Sequence, residues 1–552
     1  MSGVTQPPGD AADGGGARTI PAFAALLEGL LYTPSRLGKL RLLRRWFETQ
    51  PDPDRGVGLA ALAGELSFRA AKPTLVRDLV AARTDPVLLA LAHDYVGDFA
   101  ETVALIWPER DRRNAPAPGL AEVVETLATA PKAELPGLIA QWLDALDSSS
   151  RFALIKLVTG GLRVGAGGRL AKTALAEWSG VAIGDIEEVW HGVAPPYVPL
   201  FCWLEGRGPR PDPGTAPVFR PLMLAHPLEA SDFAALDPAL HRAEWKWDGI
   251  RVQLTAGPGG ARIWSRGGED ITGAFPEIAE AMGFHAVLDG ELLVVREGVV
   301  ATFSDLQQRL NRKAPGAKSL RDFPAHVRLY DLLLDGAEDL RALPFDARRA
   351  RLEAWFAQHG PARMDLSAMI PFATTAELGV VRDGARAASI EGLMLKRADS
   401  PYLAGRVKGL WWKWKRDPLS LDVVLMYAQR GHGKRSSFYS DFTFGVWRGP
   451  PGDGELVPVG KAYSGYTDEE LLWLDRWIRN HTTSRFGPVR EVEKRLVLEV
   501  GFDAAQRSTR HKSGFALRFP RILRLRADKP AEEADRIETV AAMVPPGAPA
   551  GD

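Results

Sequence analysis

The sequence predicts a multidomain α+β chain: an all-α N-terminal domain, a mixed α/β domain, and a C-terminal β-barrel of the OB-fold type. Three observations predict it. Apolar residues recur at three- and four-residue spacing as far as about Leu200. A Pro/Gly-rich stretch, RGPRPDPGTAP (207–217), then interrupts the chain, and beyond it short alternating strand patterns take over. With 552 residues there is room for roughly three or four domains.

The elements follow in order. MSGVTQPPGDAADGGGA at the start has neither a basic opening nor an apolar core, so no signal peptide is expected, and residues 1–18 read as a disordered tail. Residues 19–205 read as one helical domain. FAALLEGLLYTPSRLGKLRLLRRWF carries a helical apolar period, and similar runs recur near 82–106, 119–145 and 149–179, parted by Pro-rich breaks at 51–54 and 113–118. Residues 206–217 read as a linker. From 218 to 417 the strand patterns RVQLTA, ARIWSR, AVLDGELLVV and HVRLYDLLLDG alternate with the helical FPEIAEAM and PFDARRARLEAWFAQHG. From 418 to 543 strands dominate around one helix, DEELLWLDRWIRNH, which suggests a small barrel. Residues 544–552, ending in PPGAPAGD, read as a second disordered tail.

Composition narrows the function classes. Lys plus Arg and Asp plus Glu both number 69, so any basic surface for a polyanion must be local. The single cysteine, Cys202, excludes an intrachain disulfide and a zinc site built on several cysteines. No apolar run approaches the roughly 20 residues of a membrane span. A cytoplasmic, reducing setting is expected, with no membrane partner.

Charge placement carries the chemistry. In AEWKWDGIRVQL (243–254) Ala243, Trp245 and Trp247 alternate with Glu244 and Lys246; after Asp248-Gly249 the apolar parity slips to Ile250, Val252 and Leu254. Faces alternate along a strand, so the slip implies a bulge or turn at Asp248-Gly249 beside a lysine flanked by tryptophans. Further charged islands interrupt strand patterns downstream: SRGGED with Arg266 and Glu269, VLDGELLV with Asp289 and Glu291, LYDLLLDG with Tyr330 and Asp331, SIEGLMLKR with Glu391 and Lys396, and LWWKWKRD. In the last, Lys413 and Lys415 share one face and Trp412 and Trp414 the other. Any one island is ordinary for a structural ion pair. Five within one region form a pattern. No GxxxxGK[ST] loop is present, so a bound nucleotide would be held in another way.

Lys246-Trp247-Asp248-Gly249-Ile250-Arg251 resembles the KxDGxR motif of covalent nucleotidyltransferases. SRGGED, LDGELL, LYDLLL, EGLMLK and WWKWK fall in that superfamily's order, and RADK (526–529) resembles its C-terminal RxDK element. The chain is most similar to three-domain ATP-dependent DNA ligases of the bacterial stand-alone kind. LIKLVTGGLRVGAGG (154–168) resembles their DNA-binding domain and GHGKRSSFYSDFTFGV the start of their OB domain.

The resemblance implies ATP and Mg²⁺, with Mn²⁺ as an alternative, as cofactors and nicked duplex DNA as partner. It makes residues 19–205 a DNA-binding domain and 218–417 an adenylation (nucleotidyltransferase) domain. Lys246 would form lysyl-AMP, pass AMP to a 5′-phosphate, and leave the 3′-hydroxyl to displace it. A free lysine is overwhelmingly protonated at pH 7, so Arg251, Lys413, Lys415, a metal and tryptophan packing would have to disfavour its charge. Glu244 would read the adenine amino group, Arg251 the ribose, Tyr330 the adenine face and Arg266 sugar or phosphate. Glu291 and Glu391 would ligate the metal, Lys413 and Lys415 would neutralise the α-phosphate, and Asp248 would orient the lysine or a metal-bound water. Arg526, Asp528 and Lys529 would align pyrophosphate during the first step only. For Asp331 a structural role is expected.

DNA contacts are expected from Arg163 and Arg169 in GGLRVGAGGR, from Lys434 and Arg435 in RGHGKR, and from Arg510 and Lys512 in RSTRHKSG, without a sequence code. A monomer encircling DNA, associated with the nucleoid, acting in repair and served by a nuclease or helicase partner completes the expectation. The alternatives are a capping-type guanylyltransferase or RNA ligase, and, from another class, an inactive nick-binding scaffold. A capping enzyme would not need some 200 helical residues. An NAD⁺-dependent ligase would carry a four-cysteine zinc module.

Overall fold

The computed structural model describes residues 19–544, apart from 69, 97, 110–117, 161, 163, 311, 313, 386–389, 432–437 and 451–453. The described residues form two compact units, divided between Pro221 and Leu222.

The described part of the first unit is helical from Thr19–Tyr32 to Val198–Leu204. Its core gathers Phe23, Leu27, Leu43, Phe47, Leu154, Ile155 and Phe201, the apolar stripes read from the sequence. The long run at 23–47 is two helices, because Ser35 caps a new one, its hydroxyl accepting from the Gly38 N–H at 3.3 Å. Helix Ser148–Thr159 ends on Gly160 with φ 69°, and the glycine-rich segment after it is tied down by Lys39. That ammonium donates to the carbonyls of Val164 at 3.1 Å and Gly165 at 2.9 Å. Residues 218–221 belong with the helices: Arg220 pairs with Glu188 at 2.9 Å, and Phe219 packs edge-on to His191.

The second unit contains three main sheets. A five-stranded sheet runs in the order His226–Pro227, Trp411–Lys415, Ile390–Arg397, His241–Trp247, Met369–Ile370. The main path of a second sheet is Gly260–Ser265, Ile250–Gly257, Ala286–Arg296, Ala325–Asp335, Glu338–Asp339. Helix Phe345–His359 covers it through Leu352 and Trp355, packed with Val252, Leu288, Val327 and Leu329. A smaller cluster of Met223, Val287, Leu333, Tyr402 and Trp411 joins residues of both sheets.

Past Asp417 the chain becomes strand-rich and OB-like, centred on Leu419–Arg430, which pairs with Tyr439–Arg448, Val489–Val492 and Val497–Phe502. Helix Asp468–Asn480 closes one side, capped by Thr467 and burying Leu471, Leu474 and Ile478. Among the described residues no helix is long and apolar enough to cross a membrane.

Candidate functional site

The parity slip at Asp248-Gly249 is the point where the chain leaves one sheet for the other. His241–Trp247 lies in the five-stranded sheet and Ile250–Gly257 in its neighbour. Gly249 permits the crossing. A Cβ there would stand 2.6 Å from the Leu292 carbonyl oxygen and 2.8 Å from Glu291 Cγ. The strand ends consequently meet over a cavity of about 380 Å³.

Lys246, Glu244, Arg251, Arg266, Glu291, Tyr330, Glu391, Lys413 and Lys415 all line that cavity. Two of them are aimed by irregular pairing. Opposite Lys246 and Trp247 the register slips between Ile390 and Gly392, making Glu391 the extra residue of a bulge. Gly392 has φ 151°, and a Cβ on it would meet the Trp414 carbonyl at 2.2 Å. The second slip, between Asp289 and Gly290, leaves Tyr330 unopposed and turns its ring into the cavity.

Charge balance differs from group to group. Glu391 takes the Lys246 ammonium at 2.5 Å and that of Lys415 at 3.3 Å. Burial works to raise Glu391, and the two lysines hold it below its ordinary range instead. Glu291 sits across from Arg251 in register but shows no ion pair among the described residues. Burial pushes its carboxyl up to about 8, against Lys246 and Arg251 and with Glu391 adding to the rise. Burial, then the cations Lys415, Arg406, Lys246 and Arg266, push the Lys413 amine down. Clustered cations of this kind make an anion site.

Two carboxylates facing one basic cavity suit a hard cation. No group of three or more His, Cys, Asp or Glu gathers among the described residues, so a cation would complete its shell with phosphate and water oxygens, as Mg²⁺ does.

Deeper in the cavity Glu244 is buried, its carboxylate 2.8 Å from Lys396 and 3.5 Å from Arg349; burial raises it above the usual range. Lys396 is itself buried among Tyr330, Phe345 and Trp411, each ring 4.7–4.8 Å away. Arg251 is locked by Asp289, with Nε at 3.0 Å and Nη2 at 2.6 Å, by the Met223 carbonyl at 2.7 Å and by the Tyr402 hydroxyl at 3.1 Å. That hydroxyl donates to Asp289 at 2.8 Å. Asp331 lies away from the cavity lining in a fully buried bidentate pair with Arg348. Lys396, Arg406, Asp289 and Tyr402 had no assigned role in the sequence reading; Lys396 and Asp289 carried a signal as charges inside strand patterns.

The remaining expected residues lie elsewhere. Arg526 and Lys529 are outside the cavity lining, on Asp422 of the strand-rich domain. Asp248 is held bidentately by Arg518 of that same domain, which nothing in the sequence announced. Arg169 and Arg510 are exposed, and the Lys512 ammonium meets Glu455. Arg163, Lys434 and Arg435 lie outside the described residues.

Residues 222–415 match the family described as "ATP dependent DNA ligase domain", and 435–529 match "ATP dependent DNA ligase C terminal region". A probable DNA ligase of Koribacter versatilis is 38% identical over 413 residues, covering 70% of each chain. The chain belongs to the ATP-dependent DNA ligases. DNA ligase 1 of Korarchaeum cryptofilum is 32% identical over 435 residues, 76% of this chain and 78% of that one. The solved structure named "Pmar-Lig_PreS3" covers 91% of this chain and 99% of its own with a TM-score of 0.58 at 17% identity, a likeness of fold. Members of this family are nucleotidyltransferases, and sealing nicks is the family's function.

Proposed function

We propose that Lys246 is the residue that carries AMP in this ligase, and that the cavity around it is the ATP site. The observation that supports this most is the convergence on one cavity of a lysine, two carboxylates, a basic cluster and an aromatic ring.

Each residue then has a task its surroundings support. The buried Glu244 carboxylate accepts from the adenine amino group, with Lys396 keeping it in place. The Tyr330 ring covers the base. Arg251, fixed by Asp289 and Tyr402, meets the ribose, and Arg266 meets sugar or phosphate. Lys413 and Lys415 draw the α-phosphate toward Lys246 and spread its developing charge. The Lys246 ammonium first gives up a proton to solvent; its nitrogen then bonds to the α-phosphorus as the bond to pyrophosphate breaks, and the second proton also passes to solvent. Glu391 must release the ammonium before that attack. Glu291 and Glu391 would hold Mg²⁺ or Mn²⁺, which neutralises phosphate charge when bound. Arg526 and Lys529 act on pyrophosphate in this first step, and the Arg518–Asp248 pair belongs to a pose in which they are turned away.

The substrate is a 5′-phosphate/3′-hydroxyl nick, with repair as the setting and a monomer as the acting form. Of the expected DNA-contacting residues, Arg169 and Arg510 are exposed and open to the DNA backbone; Lys512 would first have to leave Glu455. Incubation with Mg²⁺ and α-labelled ATP, GTP or NAD⁺ tests nucleotide choice. Covalent label is expected from ATP alone, and label from GTP would reject the ligase site in favour of a capping-type one.

A further inference from the structure

Arg526 and Lys529 are held by carboxylates of their own domain. Asp422 Oδ2 receives Lys529 Nζ at 2.8 Å and Arg526 Nη1 at 3.4 Å. Asp528 takes the other edge of the guanidinium, from Nε and from Nη2, each at 3.1 Å. The two acidic partners differ in placement: the Asp422 side chain is 16% exposed and that of Asp528 69%. Asp422 is also fixed through its backbone. Its N–H donates to the Asp535 carboxylate at 2.8 Å, and its carbonyl accepts from the Asp535 N–H at 2.8 Å.

All four charged side chains and Asp535 belong to the strand-rich domain. Swinging that domain toward or away from the nucleotide cavity therefore carries the group intact. Movement cannot strip Asp422 from Lys529, so a pyrophosphate that reaches these cations must share or displace the carboxylate. With the Asp422, Arg526 and Lys529 side chains only 16–22% exposed, this competition is stronger than between fully exposed charges.

We propose that Asp422 is a built-in competitor for pyrophosphate. It lowers the hold of Arg526 and Lys529 on the leaving group, so that pyrophosphate departs and lysyl-AMP is less readily reversed. The inference rests on the proposed role of Arg526 and Lys529.

The reverse reaction reads this directly. Protein carrying labelled AMP is mixed with increasing inorganic pyrophosphate, whose oxygen attacks the α-phosphorus. The phosphorus–nitrogen bond breaks, the lysine takes up a proton, and labelled ATP leaves. Asp422→Asn is expected to lower the half-saturating pyrophosphate concentration about fivefold, while sealing of a pre-adenylated nick stays unchanged. Asp422→Glu, which keeps the charge, should retain the wild-type value, and Asp422→Ser provides the charge removal should the Asn variant not fold. An unchanged or higher half-saturating concentration after charge removal overturns the proposal, as does equal loss in both reactions. Lys529→Ala should raise it. If Lys529→Ala has no effect, the pyrophosphate role itself fails; if it does and charge removal at Asp422 does not tighten binding, only the competitor fails.

Discussion

Lys246 and Lys529 stand in similar company with different consequences. Each gives its ammonium to a carboxylate that a second cation shares: Glu391 with Lys415 in one case, Asp422 with Arg526 in the other. Around Glu391 the group opens on a cavity of about 380 Å³ with Glu291 beside it and more cations than it can balance. Around Asp422 the two cations Arg526 and Lys529 meet Asp422, Asp528 and the nearby Asp535, and the group lies outside that cavity lining. If Lys246 carries AMP and Lys529 serves only the first step, as proposed, the fold separates the two by giving one carboxylate an open cavity and the other none. On the proposed roles, Glu391 would pass to a metal ion, whereas Asp422 would give up its cations to pyrophosphate.

The largest effect that would break this comparison lies at Glu391. Glu391→Gln should reduce self-adenylation about a hundredfold or more, measured as the rate of covalent label from ATP. A loss under fivefold would place Glu391 with Asp422 as a mere counter-charge. Next come Arg526→Ala and Lys529→Ala. Self-adenylation should fall roughly ten- to a hundredfold, and sealing of a pre-adenylated nick far less. Equal losses would remove the step specificity that distinguishes the two lysines.

Titration sharpens the contrast. Glu291 is raised to about 8, so below that pH a cation must displace its proton. Apparent Mn²⁺ affinity, followed by electron paramagnetic resonance, should therefore rise up to about tenfold per unit as pH climbs toward 8 and level off above it. Glu291→Gln should flatten that profile. The sign in stability is opposite: a raised carboxyl contributes stability at low pH that is lost as pH rises through 8, so the same substitution should raise the melting midpoint more at pH 8.5 than at pH 6. The smallest expected effect is at Tyr402→Phe. Losing one hydroxyl from the Arg251–Asp289 lock should cost about 1 kcal/mol, a few-fold rise in KM for ATP with kcat nearly kept.

The legible and illegible parts of the site differ in physical kind. Lys246, Glu291, Glu391 and Lys413 were legible because a charge inside a strand pattern is locally anomalous, and the parity slip marked the crossing at Gly249. What each charge would touch was not legible. Arg518 lies 270 positions from Asp248, and nothing local to either residue signals the pair. Asp422 reads as an ordinary outward polar residue of a strand until the RADK element folds back on it. Tyr402 passes as a loop aromatic, although its hydroxyl closes the lock on Arg251. In the helical unit the apolar period located the core, and the division of residues 23–47 into two helices falls at Pro34 and the Ser35 cap.

Whether Lys246 carries the nucleotide can be read on the protein directly. Protein incubated with ATP and Mg²⁺, digested and analysed by mass spectrometry should show AMP on the peptide containing Lys246, and Lys246→Ala should show none at any site. AMP on another lysine, or label retained in Lys246→Ala, would contradict the account.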